Sequence, residues 1–226
     1  MKNNIYTMKY LIIVIMLFCN CSGNERKVCA TGIDLSHHNS GISWENLEVD
    51  FVYLKATEGS TWTDPKFKEY MKCAKDNNIY VGAYHFFTCS STGKKQFENF
   101  RKTVGENIDL VPVLDIEIRK KISRQQLQAE LCAWIQECRK HYGCFPIIYT
   151  SDIFYIKNLK GNKTIGKCPV WLGDVDCKNM LTPHIMHQVT IRKIKGCRYP
   201  VDVNHLYVEI DDIKTVSYTH LTLPTT

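Results

Sequence analysis

Apolar positions along this chain alternate between two periods. Short apolar runs rich in β-branched and aromatic residues recur at 27–35, 51–57, 79–87, 110–117, 145–150, 169–173, 185–190 and 201–206, and each reads as a strand. Helical spacing fills the intervals of the first two thirds. Asp64 as N-cap and Pro65 at the first helical position predict a helix to about Asn77, with Phe67, Met71 and Ala74 as its apolar stripe. A second helix is predicted over 92–104, with Phe97 and Phe100 on its core side. Ser123 and Gln126 form a capping box for a third, whose stripe is Leu127, Leu131, Trp134, Ile135 and Cys138 and whose stop is Gly143. After residue 150 the helical intervals thin out. Strands alternating with helices predict parallel pairing, here an α/β fold: a modified (β/α) barrel of about eight strands, helix-poor in its C-terminal part.

One stretch singles itself out. Leu110-Val-Pro-Val-Leu-Asp-Ile-Glu117 is apolar until it ends in two carboxylates one residue apart. On a strand Asp115 and Glu117 share a face while Leu114 and Ile116 take the other. Two acids aimed at one place push their proton affinities apart, which suits general acid/base work. In parallel barrels chemistry sits at the C-terminal strand ends. Asp34, Glu58, Tyr84, His85, Asp115, Glu117, Tyr149, Asp174 and Asp202 all fall at or near those ends.

Composition narrows the setting. At 226 residues and 44% hydrophobic content, one domain of roughly 190 residues is expected. The formal charge of +6 includes Lys2 and Lys9, and no Lys/Arg run resembles a nucleic-acid patch. Those two lysines precede the apolar run 11–18, followed by small and polar residues. This is the layout of a secretory signal, so residues 1–21 are read as a signal segment and 22–27 as a short linker. Cys21 is either a lipid-modified anchor or simply close to the cleavage point, and the product is exported in both cases. Of eleven cysteines, Cys19 and Cys21 fall in that segment. The other nine show no Cys-x-x-Cys and no Cys/His ligand spacing, so no metal site and no cofactor are expected. Residues 28–215 form the barrel domain. Val216 to Thr226 lacks any fitting periodicity, resembles the translation of a sequencing-library adapter, and is read as a non-native tail.

Six motifs in order resemble glycoside hydrolase family 25, the lysozymes with a modified α/β barrel. They are Gly32-Ile-Asp-Leu-Ser36, Phe51-Val-Tyr-Leu-Lys-Ala-Thr-Glu-Gly59, Val81-Gly-Ala-Tyr-His-Phe86, Pro112-Val-Leu-Asp-Ile-Glu117, Ile148-Tyr-Thr150 and Val201-Asp-Val-Asn204. The resemblance implies a retaining, substrate-assisted muramidase that cuts the β-1,4 bond between N-acetylmuramic acid and N-acetylglucosamine in peptidoglycan. It implies Glu117 as acid/base and Asp115 as the group that orients the substrate's N-acetyl, with a direct nucleophile role for Asp115 left open. Asp34 and Asp202 match two further acids of the family's cleft. Tyr84, Tyr149 and Trp171 are candidate sugar platforms, each with core packing as the ordinary alternative. Gln188 is a further binding candidate, although its neighbours His187 and Val189 stand where relatives usually carry aromatic residues. The expected partner is peptidoglycan glycan, with no nucleic acid, an optional lipid anchor, and a monomeric chain.

Competing readings have their own residues. A metal-dependent hydrolase would draw on Asp34, His37, His38 and His85, but adjacent histidines on extended backbone face opposite ways and His85 should turn away from the face of Tyr84. A glycan-binding module needs the cleft but not its acids, and a chitin-type hydrolase would share the N-acetyl-assisted mechanism.

Overall fold

A computed structural model describes residues 26–215 except 176 and 178. Residues 1–25 and the 216–226 tail, on which the signal, anchor and adapter expectations fall, lie outside the described residues. Among the described residues the strands are β1 (Ala30–Leu35), β2 (Phe51–Glu58), β3 (Trp62–Thr63), β4 (Tyr80–Phe86), β5 (Val113–Asp115), β6 (Ile147–Thr150), β7 (Val170–Leu172), β8 (Met186–Arg192) and β9 (Val201–Leu206). Three full helices accompany them: α1 (Phe67–Asp76), α2 (Gly93–Val104) and α3 (Arg124–Tyr142). Only short helical turns follow α3, as the thinning pattern predicts. Among the described residues no helix is long and apolar enough to cross a membrane.

Eight strands close into a barrel. The order is β1-β9-β8-β7-β6-β5-β4-β2, with β1 pairing β2 to complete the ring and β3 added as a small hairpin on β2. Parallel pairing holds from β1 through β2 and β4 to β8. It fails at β9, which runs antiparallel to both β8 and β1. The physical reason is the connection: a parallel crossover needs about a dozen residues and usually a helix, and the segment between Arg192 and Val201 supplies neither.

Side-chain alternation divides the barrel into two cores. Phe51, Tyr53, Val113, Ile147, Trp171, Met186 and Leu206 fill the interior. Val52, Leu54, Ala56, Leu114, Ile116, Ile148 and Val203 face the helices outside. Leu114 and Ile116 therefore do lie opposite Asp115, as expected. The large rings of β2 fit inside because Gly32 and Gly82 face them on the flanking strands, where an added Cβ would collide with Phe51 and Tyr53 respectively.

The helices largely follow their sequence signals. The capping box is complete, with Ser123 Oγ accepting from the Gln126 amide and Gln126 Oε1 from the Ser123 amide. Gly143 ends α3 at φ +71°. All five residues of the α3 stripe are fully buried, with Trp134 against Phe97, Phe100 and His85. The α1 start differs. The regular helix begins later, with Lys66 at its N-cap, but Asp64 still caps the turn that leads into it: Oδ1 accepts from the Lys66 amide at 2.8 Å, while Oδ2 accepts from the His37 amide at 3.0 Å and His37 Nδ1 at 2.8 Å.

Helices α2 and α3 touch where Gly93 meets the Glu130 carbonyl, too close for a side chain. Gly93→Ala is expected to push the helix pair apart and cost about 1–3 kcal/mol, a typical overpacking penalty. Chemical denaturation checks it; an unchanged midpoint would mean the pair adjusts without strain.

Candidate active site

Inward-facing side chains at the C-terminal rim of the parallel strands, joined by the start of the antiparallel β9, form a cleft, a cavity of about 250 Å³. It is lined by Asp34 from β1, Tyr84 from β4, Asp115 from β5, Tyr149 from β6, Trp171 from β7, Gln188 from β8 and Asp202 from β9, with Glu117 just beyond β5. All eight site residues expected from the sequence converge there. Five further residues line it: Val113, which belongs to the apolar interior, His38, weighed above only as a metal ligand, and Ser36, Lys55 and Phe86, which were not singled out. Lys55 could have been found, since a charge at the inward position after Phe51 and Tyr53 breaks an otherwise apolar strand.

The remaining rim residues do other work. Glu58 holds Lys55 Nζ at 2.8 Å. Asp174 caps the short helix that begins at Asp152 by accepting from its amide. His85 turns outward as expected, fully buried between Thr57 Oγ1 at 2.7 Å and Gln96 Oε1 at 3.1 Å. Burial lowers its pKa to about 4, so the ring is neutral. The expectation that His37 and His38 face apart fails. They sit in a turn, not on extended backbone, and their rings pack with centroids 3.9 Å apart. Among the described residues no group of three or more His, Cys, Asp or Glu side chains is placed to hold a metal ion. The nine described cysteines are free thiols.

Two hydrogen-bond relays fix the acids. Trp171 Nε1 donates to Asn204 Oδ1 at 3.1 Å, and Asn204 Nδ2 donates to Asp34 Oδ2 at 2.8 Å. Tyr149 Oη donates to Gln188 Oε1 at 2.7 Å, and Gln188 Nε2 donates to Asp202 Oδ1 at 2.7 Å. Asn204, fully buried, lay within the Val201–Asn204 motif but was not picked as a site residue. Trp171 is only 2% exposed, so it forms the cleft floor with its polar edge already satisfied. The antiparallel turn-back of β9 sets Asp202 directly opposite Asp34.

Crowding shows in the proton affinities. Burial is the largest cause of a strong upward shift at Asp115, followed by the charge of Glu117, while Lys55 opposes it. Asp34 is pushed up to about 8 by burial, then by Asp202, against the hydrogen bond from Asn204. Asp202 is raised by burial. Tyr84 and Tyr149 are raised by burial and by the surrounding acids, so both hydroxyls stay protonated. Glu117 is exposed, whereas Asp115 is 6% exposed with Oδ1 lacking any hydrogen-bond partner among the described residues. A buried polar atom left unpaired costs about 1–3 kcal/mol, and a ligand donor placed there would recover it.

A raised folded-state pKa has a stability consequence. Asp34 moves from 3.8 unfolded to about 8 folded, so the folded chain binds the extra proton across that window. Its stabilising contribution is complete below the unfolded value and is lost as pH rises through the folded one. Stability is expected to fall between those values, and Asp34→Asn should flatten the slope; denaturation midpoints at stepped pH check this, and a slope unchanged in the variant would contradict it.

Comparison with known proteins adds the family. The sequence model described as glycosyl hydrolases family 25 matches residues 33–193. Lysozyme M1 of Streptomyces globisporus is 37% identical over 161 residues, covering 62% of this chain and 53% of that protein. The YegX protein of Escherichia coli K12 is 34% identical over 139 residues, 58% of this chain and 51% of its own length. The chain thus spans about half the length of the curated relatives it matches. The structure of a family 25 glycosyl hydrolase from Bacillus anthracis superposes with a TM-score of 0.74 at 28% identity, covering 85% of this chain and 97% of that one. A barrel whose last strand turns back to set two acids face to face, and a family match over most of its strands, lead to one conclusion: the chain belongs to glycosyl hydrolases family 25.

Proposed function

We propose that this chain is a lysozyme-type muramidase, a retaining glycoside hydrolase that cuts the β-1,4 bond between N-acetylmuramic acid and N-acetylglucosamine in peptidoglycan. The observation that carries the reading is the pairing of an exposed Glu117 with a buried, half-unpartnered Asp115 in one acid-lined cleft. Glu117 reaches solvent and substrate, and protonates the leaving glycosidic oxygen. The substrate's own N-acetyl oxygen then attacks the sugar carbon, giving an oxazolinium ion with the aglycone released. Asp115 accepts from the N-acetyl N–H and steadies the positive charge. Water, deprotonated by Glu117, opens that ion with overall retention.

The other lining residues divide the remaining tasks. Asp34 and Asp202, fixed by Asn204 and Gln188, accept from sugar hydroxyls. Tyr84 and Tyr149 offer ring faces and protonated hydroxyls to the pyranose, and Trp171 supports them from below. Action on peptidoglycan requires a location outside the cytoplasm, in keeping with the export signal read at 1–21.

Mass spectrometry of purified peptidoglycan after incubation with the protein tests this reading. Fragments with muramic acid at the reducing end are expected. Reducing-end glucosamine would change the bond, and cleavage of chitin oligomers alone would change the substrate. An absence of fragments from several wall types would replace the enzyme with a glycan-binding module.

A further inference from the structure

Among the described residues Lys55 is the one lysine or arginine that lines the cleft, set among four acids. It continues the inward row of Phe51 and Tyr53 on β2, at the level where the filled interior opens into the cleft. Its ammonium lies 4.9 Å from the centre of the Phe86 ring and 5.0 Å from that of Trp62. The side chain is 12% exposed and holds Glu58 Oε2 at 2.8 Å. An ammonium has three donors, and that ion pair uses one of them. The two aromatic faces strip it of water and hold it in place, which strengthens its pull on a second anion.

Substrate chemistry supplies such an anion in one circumstance. Muramic acid differs from glucosamine by a lactyl ether whose carboxyl is tied up as an amide wherever a stem peptide is attached. Removal of the peptide frees a carboxylate. Carboxyl groups offer a carboxylate no counter-charge, so an anionic sugar in this cleft is received by the cation, and an amide carbonyl gains far less from a cation than a carboxylate does.

We infer that Lys55 is a specificity-determining residue that binds the free lactyl carboxylate of a peptide-stripped muramic acid residue. The inference rests on the muramidase reading and extends it to a place in a reaction sequence: hydrolysis of the lactyl–peptide amide bond supplies the preferred substrate, and glycan cleavage follows.

The test compares two substrates made from one wall preparation, intact strands and strands stripped by a muramoyl-amide hydrolase. Wild type is expected to favour stripped strands by about tenfold in kcat/KM, with the difference mainly in KM, on the scale of one charge-assisted hydrogen bond. Lys55→Met, which keeps the aliphatic stem against the aromatic faces, should bring that ratio close to one. Lys55→Arg should retain the preference, separating loss of charge from loss of fold. Equal use of both substrates by wild type, or a preference surviving in Lys55→Met, would overturn the assignment while leaving the muramidase reading intact. Failure of wild type to release reducing-end muramic acid from either substrate would overturn both.

Discussion

Replacing Glu117 by glutamine is expected to cut peptidoglycan turnover by about a thousandfold, within the range that general acid–base catalysis contributes. The amide keeps the size and shape of the side chain but has no proton to give to a leaving oxygen. Glu117 lies beyond β5, exposed at the cleft mouth, so its replacement removes no core contact and thermal unfolding should be nearly unchanged. Loss of rate without loss of fold is the signature to look for. Binding should survive, which makes the variant a useful trap for glycan fragments. Turnover by Glu117→Gln near the wild-type level would remove Glu117 from the chemistry altogether.

Asp115→Asn is expected to cost about a hundredfold to a thousandfold in kcat, the scale of deleting one preorganised electrostatic group. The reason differs from that for Glu117. Asn keeps an acceptor for the N-acetyl N–H but loses the negative charge that steadies the oxazolinium ion. The same change should stabilise the fold near neutral pH. Asp115 is buried, and burial together with Glu117 raises its pKa well above 3.8. A raised folded-state value means that stability present below the unfolded pKa is lost as pH rises. The Asn variant has no such loss, so its melting temperature should exceed that of wild type at pH 7 and converge with it in acid. Higher stability with lower activity would mark Asp115 as a strained functional group. A variant less stable at pH 7 would mean that the carboxylate holds the fold. Mass spectrometry of the quenched enzyme with substrate separates the two chemical roles, because a glycosyl adduct on Asp115 would make it the nucleophile.

The local elements were legible because each has a local cause. The capping box at Ser123 and Gln126, the stripe from Leu127 to Cys138 and the stop at Gly143 are interactions within a few residues of one another. The facing of Asp115 against Leu114 and Ile116 follows from strand geometry alone. Where a distant partner intervened, local reasoning fell short. Asp64 caps the turn before α1 with one oxygen, as read, but its other oxygen goes to His37, a distant partner that no local pattern shows. His37 and His38 read as opposed until a turn brings their rings side by side.

The sequence by itself determined the strand and helix order and the two faces of each strand, because periodicity is a property of short segments, and its resemblance to a known family marked eight of the residues that line the cleft. Tertiary structure decided the antiparallel return of β9, the opposition of Asp34 and Asp202, the relays through Asn204 and Gln188, and the place of Lys55 among the acids. Those features depend on closing the ring, which brings residues 34 and 202 into register. No local pattern encodes a contact between chain segments that far apart, and the crowding that raises the pKa values of Asp34 and Asp115 exists only once the barrel has closed.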